Sequence, residues 1–161
     1  MLVDTSLPTD LHKVKEASIL ANELGFDGIF AAEVTADPFV TSAVASQHVQ
    51  NMDLGTKIAV AFARTPMTTA YAAYNLGELS DGRFHLGLGT QVRAHVTRRF
   101  SMPWSQPSAR MREYVVAMKE IWSSWRTGDP LAFSGEFYAH SLMPEYFVPP
   151  TTTAAPPPVW L

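Results

Sequence analysis

The feature that most constrains the fold of this chain is the regular alternation of short apolar runs with helical stripes. Apolar runs lie at 27–32, 58–63 and 83–88, and the segments between them carry apolar residues at spacings of three and four. The run at 58–63 is continuous rather than alternating, which is typical of a parallel strand buried on both faces. This order predicts an α/β fold with parallel strands. Right-handed crossovers then leave two architectures, an open doubly wound sheet or a barrel.

Glycine and proline mark where the predicted helices begin and end. The first helical stripe covers 11–24 and stops at Gly25. The clearest helix begins at Pro107, carries Met and Trp at helical spacing, and closes at 128–130. We interpret its stripe as core, because apolar residues at this spacing usually pack against a sheet. The next segment, 131–138, contains a glycine turn and predicts a small hairpin.

Composition and missing motifs exclude several classes of function. A chain of 161 residues with 47% hydrophobic residues and a formal net charge of -3 is typical of one globular domain and offers no basic tract for nucleic acid. Without cysteine it has no disulfide framework, thiolate metal site or thiol nucleophile, and we predict no metal. No apolar run is long enough to span a membrane, so we expect a cytoplasmic protein without membrane partners. The glycines at 87 and 89 lack the third glycine of a dinucleotide fingerprint.

Four longer stretches carry a family resemblance. They are "ELGFDGIFAAE" (23–33), "TKIAVAFARTP" (56–66), "NLGELSDGRFHLGLGTQ" (75–91) and "SARMREYVVAMKEIW" (108–122). Together they resemble the bacterial-luciferase-like flavin and deazaflavin oxidoreductases, over almost the whole chain. The stretch "GTQVRAHVTRRFSMPW" (89–104) is most similar to the branch of that superfamily that uses the deazaflavin coenzyme F420.

The resemblance implies a particular fold and a length problem. It implies the N-terminal half of a (β/α)8 TIM barrel with parallel strands, in one incomplete luciferase-like domain over 1–161. That domain would contain about strands one to four with their helices, a hairpin insertion near 131–138, and the start of strand five at 159–161. A whole barrel takes about 250 residues, so about half is present. We expect the open barrel edges to be unstable in isolation and to promote self-association.

The exit of the fourth strand is the first part of the predicted cofactor site. In a barrel, active sites form at the carboxyl-side mouth from strand ends and βα loops. Gly89 would let the backbone approach a flat ring, and Thr90 and Gln91 would offer hydrogen bonds to it. The alternative is that these glycines only relieve crowding, and we favour packing for Gly87.

The exits of strands three and two complete the predicted site. The resemblance implies a non-prolyl cis peptide behind the central ring. Alignment on Thr65-Pro66 places that bond between Phe62 and Ala63, with Thr65 hydrogen-bonding to the ring edge. Glu33 ends strand two and is the candidate catalytic carboxylate, which would orient the cofactor or exchange a proton. It would equally well accept hydrogen bonds from loop amides.

These residues lead to one preferred function and two alternatives. The preferred function is hydride transfer between reduced F420 and a small organic substrate. The first alternative is an FMN-dependent two-component monooxygenase, and the second is a catalytically inactive half barrel. The arginines at 93, 98 and 99 would meet an anionic cofactor tail or simply face solvent. His48 and His85 are interpreted as interior histidines rather than catalytic bases.

Overall fold

The computed structural model describes residues 1–150 and 155–161. The helices are α1 (Leu11–Glu23), α2 (Pro38–Ser46), α3 (Pro66–Leu79) and α4 (Pro107–Thr127). The strands are β1 (Asp4–Ser6), β2 (Gly28–Ala31), β3 (Asp53–Thr56), β4 (Ala59–Val60), β5 (Phe84–Gly89), β6 (Phe133–Ser134), β7 (Ala139–His140) and β8 (Val159–Trp160). Contacts divide the described chain into two compact units, the first made of 1–59, 72–89 and 155–161 and the second of 60–71 and 90–150.

The first unit is built on a parallel sheet. Its strands run in the order β1-β2-β3-β5, and β8 pairs with β5, each pair parallel. The register pairs Phe30 with Gly55 and Gly55 with His85, so these three residues share one face. The opposite face is buried on β2, β3 and β5, and α2 packs on β2 and β3. The buried residues of this face include Ile29, Leu54 and Phe84. The predicted α/β fold with parallel strands is confirmed.

The second helix, α2, has short side chains on the face that packs against the sheet. Asp37 accepts hydrogen bonds from the amides of Phe39 and Val40 at 2.8 and 3.3 Å, and a proline follows at the first helical position. The buried face of α2 includes Thr41 and Ser42, whereas Val40 is 49% exposed. Ser42 Oγ donates to the Gly55 carbonyl at 3.4 Å. Small residues at this face allow the helix to lie close to the sheet.

The third strand lies earlier in the chain than the apolar run predicts. The sequence predicts one strand over 58–63, but β3 ends at Thr56, and the predicted range holds only the two-residue strand β4 and a 3-10 turn at Ala61–Ala63. Sequence-based prediction misses β3 because it contains Gly55, and glycine has a low strand propensity. A Cβ at Gly55 would lie 2.2 Å from the His85 carbonyl oxygen, so glycine is required for the two strands to approach.

The cis peptide bond, like the strand, lies earlier in the chain than the sequence predicts. It joins Lys57 and Ile58, directly after β3, and the bond between Phe62 and Ala63 is trans. The prediction of a cis bond at Phe62–Ala63 is therefore wrong. Its anchor, Thr65-Pro66, starts α3 and is separated from the end of β3 by the extra turn.

The second unit is organised around α4. Its predicted apolar stripe is core as expected; the buried members are Met111, Tyr114, Met118, Ile121, Trp122 and Trp125. The helix ends at Gly128, which has φ 77° and donates its amide to the Ser124 carbonyl at 2.9 Å. The predicted hairpin is present as the antiparallel pair β6 and β7. Among the described helices, α4 included, none is both long and apolar enough to cross a membrane.

Candidate functional site

A cavity of about 210 Å³ opens on the sheet face of the first unit that carries Phe30. Pockets that hold a whole ligand usually measure about 300–1,000 Å³, so this cavity fits a flat ring system rather than a coenzyme with its tail. Its lining combines apolar side chains with one carboxylate and one ammonium group. The lining residues are Asp4, Phe30, Thr56, Lys57, Ile58, Gly87, Trp160 and Leu161.

An aromatic wall forms one side of this cavity because two glycines make room for it. A Cβ at Gly28 would lie 2.8 Å from Phe30 Cε2, and a Cβ at Gly55 would lie 3.0 Å from Phe30 Cε1. The Phe30 ring therefore lies across the backbone of β2 and β3. The Trp160 ring follows, with its centroid 5.7 Å from Phe30 and 4.5 Å from His85. The wall presents flat apolar surface to a ligand.

The carboxyl ends of β3 and β5 meet at the cavity. Thr56 Oγ1 donates to the Gly87 carbonyl at 2.6 Å, and a Cβ at Gly87 would lie 2.0 Å from the Thr56 carbonyl oxygen. This supports the packing interpretation of Gly87. A Cβ at Gly89 would lie 2.7 Å from Ile58 Cδ1, so Gly89 makes room for a side chain that lines the cavity.

The two charged lining residues lie at opposite ends of the strands. Asp4 pairs in register with Gly28, and Gly28 with Asp53. Lys57 comes four residues after Asp53, which is about 13 Å at roughly 3.3 Å per residue. In the part of the chain that the structure describes, neither Asp4 nor Lys57 forms an ion pair.

His85 supports the aromatic wall from beside the cavity. Its Nε2 lies 3.2 Å from Asp53 Oδ2, and its side chain is 18% exposed. Nδ1 is buried and has no hydrogen-bond partner among the described residues. The contact with Trp160 covers the imidazole ring. His85 is thus an interior histidine, as the sequence indicates.

None of the six site residues predicted from the sequence, all within the described chain, lines this cavity. Glu33 belongs to the first unit, is half-buried, and donates its amide to the Ile58 carbonyl at 3.4 Å. The other five residues belong to the second unit and form two groups. One is Phe62, Ala63 and Thr65, and the other is Thr90 and Gln91.

Phe62 is fully buried, and its ring lies against the guanidinium group of Arg110. The Arg110 guanidinium carbon lies 4.4 Å from the centroid of the Phe62 ring, and the Trp104 ring meets it edge-on at 5.8 Å. Arg110 is 6% exposed. It donates from Nε to the Tyr138 hydroxyl at 2.8 Å and from Nη1 to the Pro103 carbonyl at 2.7 Å. These contacts fix the aromatic ring within the second unit.

Thr65 is exposed at the start of α3, and Ala63, two residues earlier, is half-buried. The Thr65 hydroxyl accepts a hydrogen bond from the Thr68 amide at 3.2 Å, which caps the helix. Its carbonyl accepts one from the Tyr114 hydroxyl at 2.9 Å. Burial raises the pKa of Tyr114 above its ordinary value of 10.0.

Thr90 and Gln91 form a tight polar turn after β5. Thr90 Oγ1 donates to the Gln91 carbonyl at 3.1 Å, and Gln91 has φ 62°, in the left-handed region. The Val92 amide, which can only donate, points at Gln91 Oε1 at 2.9 Å. The Gln91 Nε2 group therefore keeps two N–H donors with no partner among the described residues. Non-glycine residues with this backbone conformation cluster at functional sites.

Sequence reasoning missed Lys57 and Trp160 as lining residues. Lys57 is the single charge between Thr56 and the apolar run that follows, a signal that a charge ends a buried strand. Trp160 belongs to the strand predicted at 159–161, but nothing local indicates that it meets Phe30. The predicted basic residues at 93, 98 and 99 are exposed, and Arg99 lies over the Phe100 ring at 4.8 Å.

Comparisons of this chain with known proteins agree on one family. The profile of the family described as luciferase-like monooxygenase matches residues 2–161. An uncharacterized protein of Mycobacterium tuberculosis is 46% identical over 147 residues, which is 91% of this chain and 43% of that protein. The F420-dependent glucose-6-phosphate dehydrogenase of Intrasporangium calvum is 29% identical over 143 residues, which is 79% of this chain and 42% of that enzyme.

A solved structure supports the fold. The oxygenating constituent of 3,6-diketocamphane monooxygenase from Pseudomonas putida, solved in complex with FMN, superposes with a TM-score of 0.75. It is 14% identical, and the match covers 90% of this chain and 45% of that one. The chain thus spans less than half the length of these relatives. The half-barrel fold predicted from the sequence agrees with this coverage.

Proposed function

Because the chain belongs to the luciferase-like monooxygenase family, we propose that it acts as an F420-dependent oxidoreductase that transfers hydride between the deazaflavin and a small organic substrate. The observation that carries the proposal is the largely apolar cavity on the sheet face, which reaches the carboxyl ends of β3 and β5, where this class of fold binds ligands. The named F420-dependent activity of the Intrasporangium relative supports the choice of coenzyme.

The residues present fit a flat heterocycle. In the first unit, Phe30 and Trp160 supply planar surface, and Ile58 and the backbone of Gly87 supply the rest of the apolar lining. Separately, in the second unit, Gln91 Nε2 has two donors with no partner among the described residues, and such donors suit a carbonyl oxygen of a ring edge. When bound, F420 gives or accepts a hydride at ring carbon five.

The remaining predicted residues have proposed roles of their own. For the second unit we keep the roles that the resemblance implies as proposals of their own: hydrogen bonds to a ring edge from Thr65 and Thr90, and backbone beside the ring from Phe62 and Ala63. Glu33 is proposed to hold or exchange a proton.

FMN is the second candidate coenzyme. The Pseudomonas monooxygenase constituent was solved in complex with FMN and shares the fold. The planar wall of Phe30 and Trp160 would pack against either ring system. An FMN-dependent monooxygenase supplied by a partner reductase is therefore the alternative function, and cytoplasmic localisation stays a prediction for both.

A catalytically inactive half barrel that self-associates is the third candidate. β1 lies at one edge of the parallel sheet, Trp160 of β8 is 47% exposed, and the next residue, Leu161, is 78% exposed. Open edges and apolar surface favour association with a second copy. Sedimentation velocity over a range of concentrations tests this, with Trp160→Lys expected to weaken association and Tyr146→Lys, at another exposed aromatic residue, expected to leave it unchanged.

The deciding experiment is a pair of binding titrations of the chain, with F420 and with FMN, followed by coenzyme fluorescence. We expect F420 to bind about tenfold more tightly than FMN, a difference of about 1.4 kcal/mol. Gln91→Ala should weaken F420 binding, and Gln50→Ala, at an exposed glutamine, should not. Tighter binding of FMN would favour the monooxygenase, and binding of neither would favour the inactive half barrel.

A further inference from the structure

We propose that Lys57 makes the cavity of the first unit a binding site for a flat, negatively charged ligand group. The inference deepens the proposed function and rests on it, because the group belongs to the coenzyme or the substrate of that reaction. It is carried by a lysine that lines a largely apolar cavity and has no ion pair with any residue that the structure describes.

The position of Lys57 is fixed by the sheet. Its amide donates to the Ala31 carbonyl at 2.7 Å, which ties the residue to the end of β2. Lys57 is exposed, and Ile58 and Trp160 line the same cavity beside it. A bound planar group would cover the ammonium group, and the attraction between the ammonium group and an anion would then be stronger than in open water. A ligand that brings a negative charge supplies the partner that the described protein residues do not.

The nearby carboxylates leave the carboxyl end of the cavity positive. Along the strand direction, Asp4 lies about 13 Å from Lys57, because Lys57 is four residues beyond the row that contains Asp4 and each residue adds roughly 3.3 Å. Asp53, in the same row, lies 3.2 Å from His85 Nε2. Glu33 is the carboxylate at the end of β2 and does not line the cavity. A negatively charged group is therefore favoured at the Lys57 end and disfavoured at the Asp4 end.

Two sources supply a flat anionic group: the ring of the coenzyme, and an aromatic carboxylate substrate. Phe30 and Trp160 give the cavity a planar wall that suits both. The cavity of about 210 Å³ also limits either source to one small ring system at this position. The shared chemistry is thus a planar ring next to a negative charge.

The test compares benzoate with benzamide, which has the same shape and no charge, by calorimetry and ligand-observed NMR on the whole chain. We expect benzoate to bind about tenfold more tightly, as a charge-assisted hydrogen bond would give. Lys57→Met should remove that preference without changing benzamide binding, and Lys57→Arg should keep it. Lys119→Met, at an exposed lysine of α4, is the matched control.

Each outcome decides the proposal. Equal affinity for the two probes, binding of neither, or a preference that survives in Lys57→Met would overturn it. Displacement of benzoate by F420 identifies the coenzyme ring as the natural occupant, and simultaneous binding identifies a carboxylate substrate. If F420 binds but benzoate does not, this inference fails and the proposed function stands. If benzoate binding depends on Lys57 but F420 does not bind, the proposed function fails instead.

Discussion

The hydroxyl group of Tyr114 donates a hydrogen bond of 2.9 Å to the carbonyl oxygen of Thr65. Tyr114 is a fully buried residue of α4, whereas Thr65 is an exposed residue that caps α3. The core helix of the second unit therefore fixes the backbone of a residue that the sequence assigns to the cofactor site. Thr69, which also contacts the Tyr114 hydroxyl, lies one turn into α3 and strengthens this connection.

Tyr114→Phe should reduce the free energy of unfolding by about 1 kcal/mol, because the buried Thr69 hydroxyl and the Thr65 carbonyl each lose one hydrogen bond, although the Thr69 amide still donates to that carbonyl. The measurement is urea denaturation followed by circular dichroism. Tyr146→Phe is the matched control, since Tyr146 is 92% exposed, and its effect should stay within about 0.5 kcal/mol. Equal effects of the two substitutions would contradict the contact.

Stability should fall at high pH because burial raises the pKa of Tyr114. Below the ordinary value of 10.0, the tyrosine is protonated in both states and contributes no pH dependence. Above it, the unfolded chain releases a proton that the folded chain keeps, so unfolding becomes more favourable by about 1 kcal/mol per pH unit. Burial also raises the pKa of Tyr71 and Tyr138, in the same direction.

Urea denaturation at several values between pH 9 and 11.5, a range set around the reference tyrosine pKa of about 10, measures this effect. The slope should be shallower in Tyr114→Phe than in the unsubstituted protein. A free energy of unfolding that stays constant across this range would sink the prediction.

Glu113→Gln should loosen the hairpin of the second unit. The Glu113 carboxylate accepts the amides of Glu136, Phe137 and Tyr138 at 2.9, 2.7 and 2.7 Å. A glutamine offers one oxygen and an amide nitrogen that can only donate, so at least one backbone amide loses its acceptor. We expect a loss of about 2 kcal/mol, since hydrogen bonds to charged groups are stronger than neutral ones.

Hydrogen exchange of the amides at 136–138 reports this loss directly. Their protection should decrease in Glu113→Gln and remain unchanged in Glu120→Gln, at an exposed glutamate of the same helix. Glycine at position 135 makes room for this carboxylate, because a Cβ there would lie 2.2 Å from Glu113 Oε1. Unchanged protection would show that the carboxylate does not hold the hairpin.

Gly87→Ala should be among the most damaging single substitutions in the first unit. Its Cβ would lie 2.0 Å from the Thr56 carbonyl oxygen, and backbone cannot move aside as the end of a flexible side chain can. We expect a cost of about 3 kcal/mol from overpacking, measured by thermal or urea unfolding. Gly77→Ala is the control: its Cβ would meet the Pro157 side chain, at 3.3 Å from Cγ and 3.8 Å from Cδ, and alanine favours the helix. Similar stabilities of the two variants would refute the close approach of β3 and β5.

The sequence by itself determined the local elements and their order. Asp37-Pro38, Pro107 and Gly128 bound helices through capping and backbone preferences that act within a few residues. The hairpin around Gly135 and the strand at 159–160 were likewise predicted from short-range signals. The family resemblance then indicated which barrel these units would build.

Only the tertiary structure decided where β3 lies and which residues line the cavity. Gly55 is a poor strand residue by propensity, yet the close approach of His85 requires it. Phe30 and Trp160 come from opposite ends of the chain and meet because β2 and β8 lie in one sheet. Burial, strand register and the pairing of charges depend on contacts between residues that are far apart in the sequence. Local periodicity therefore does not predict them.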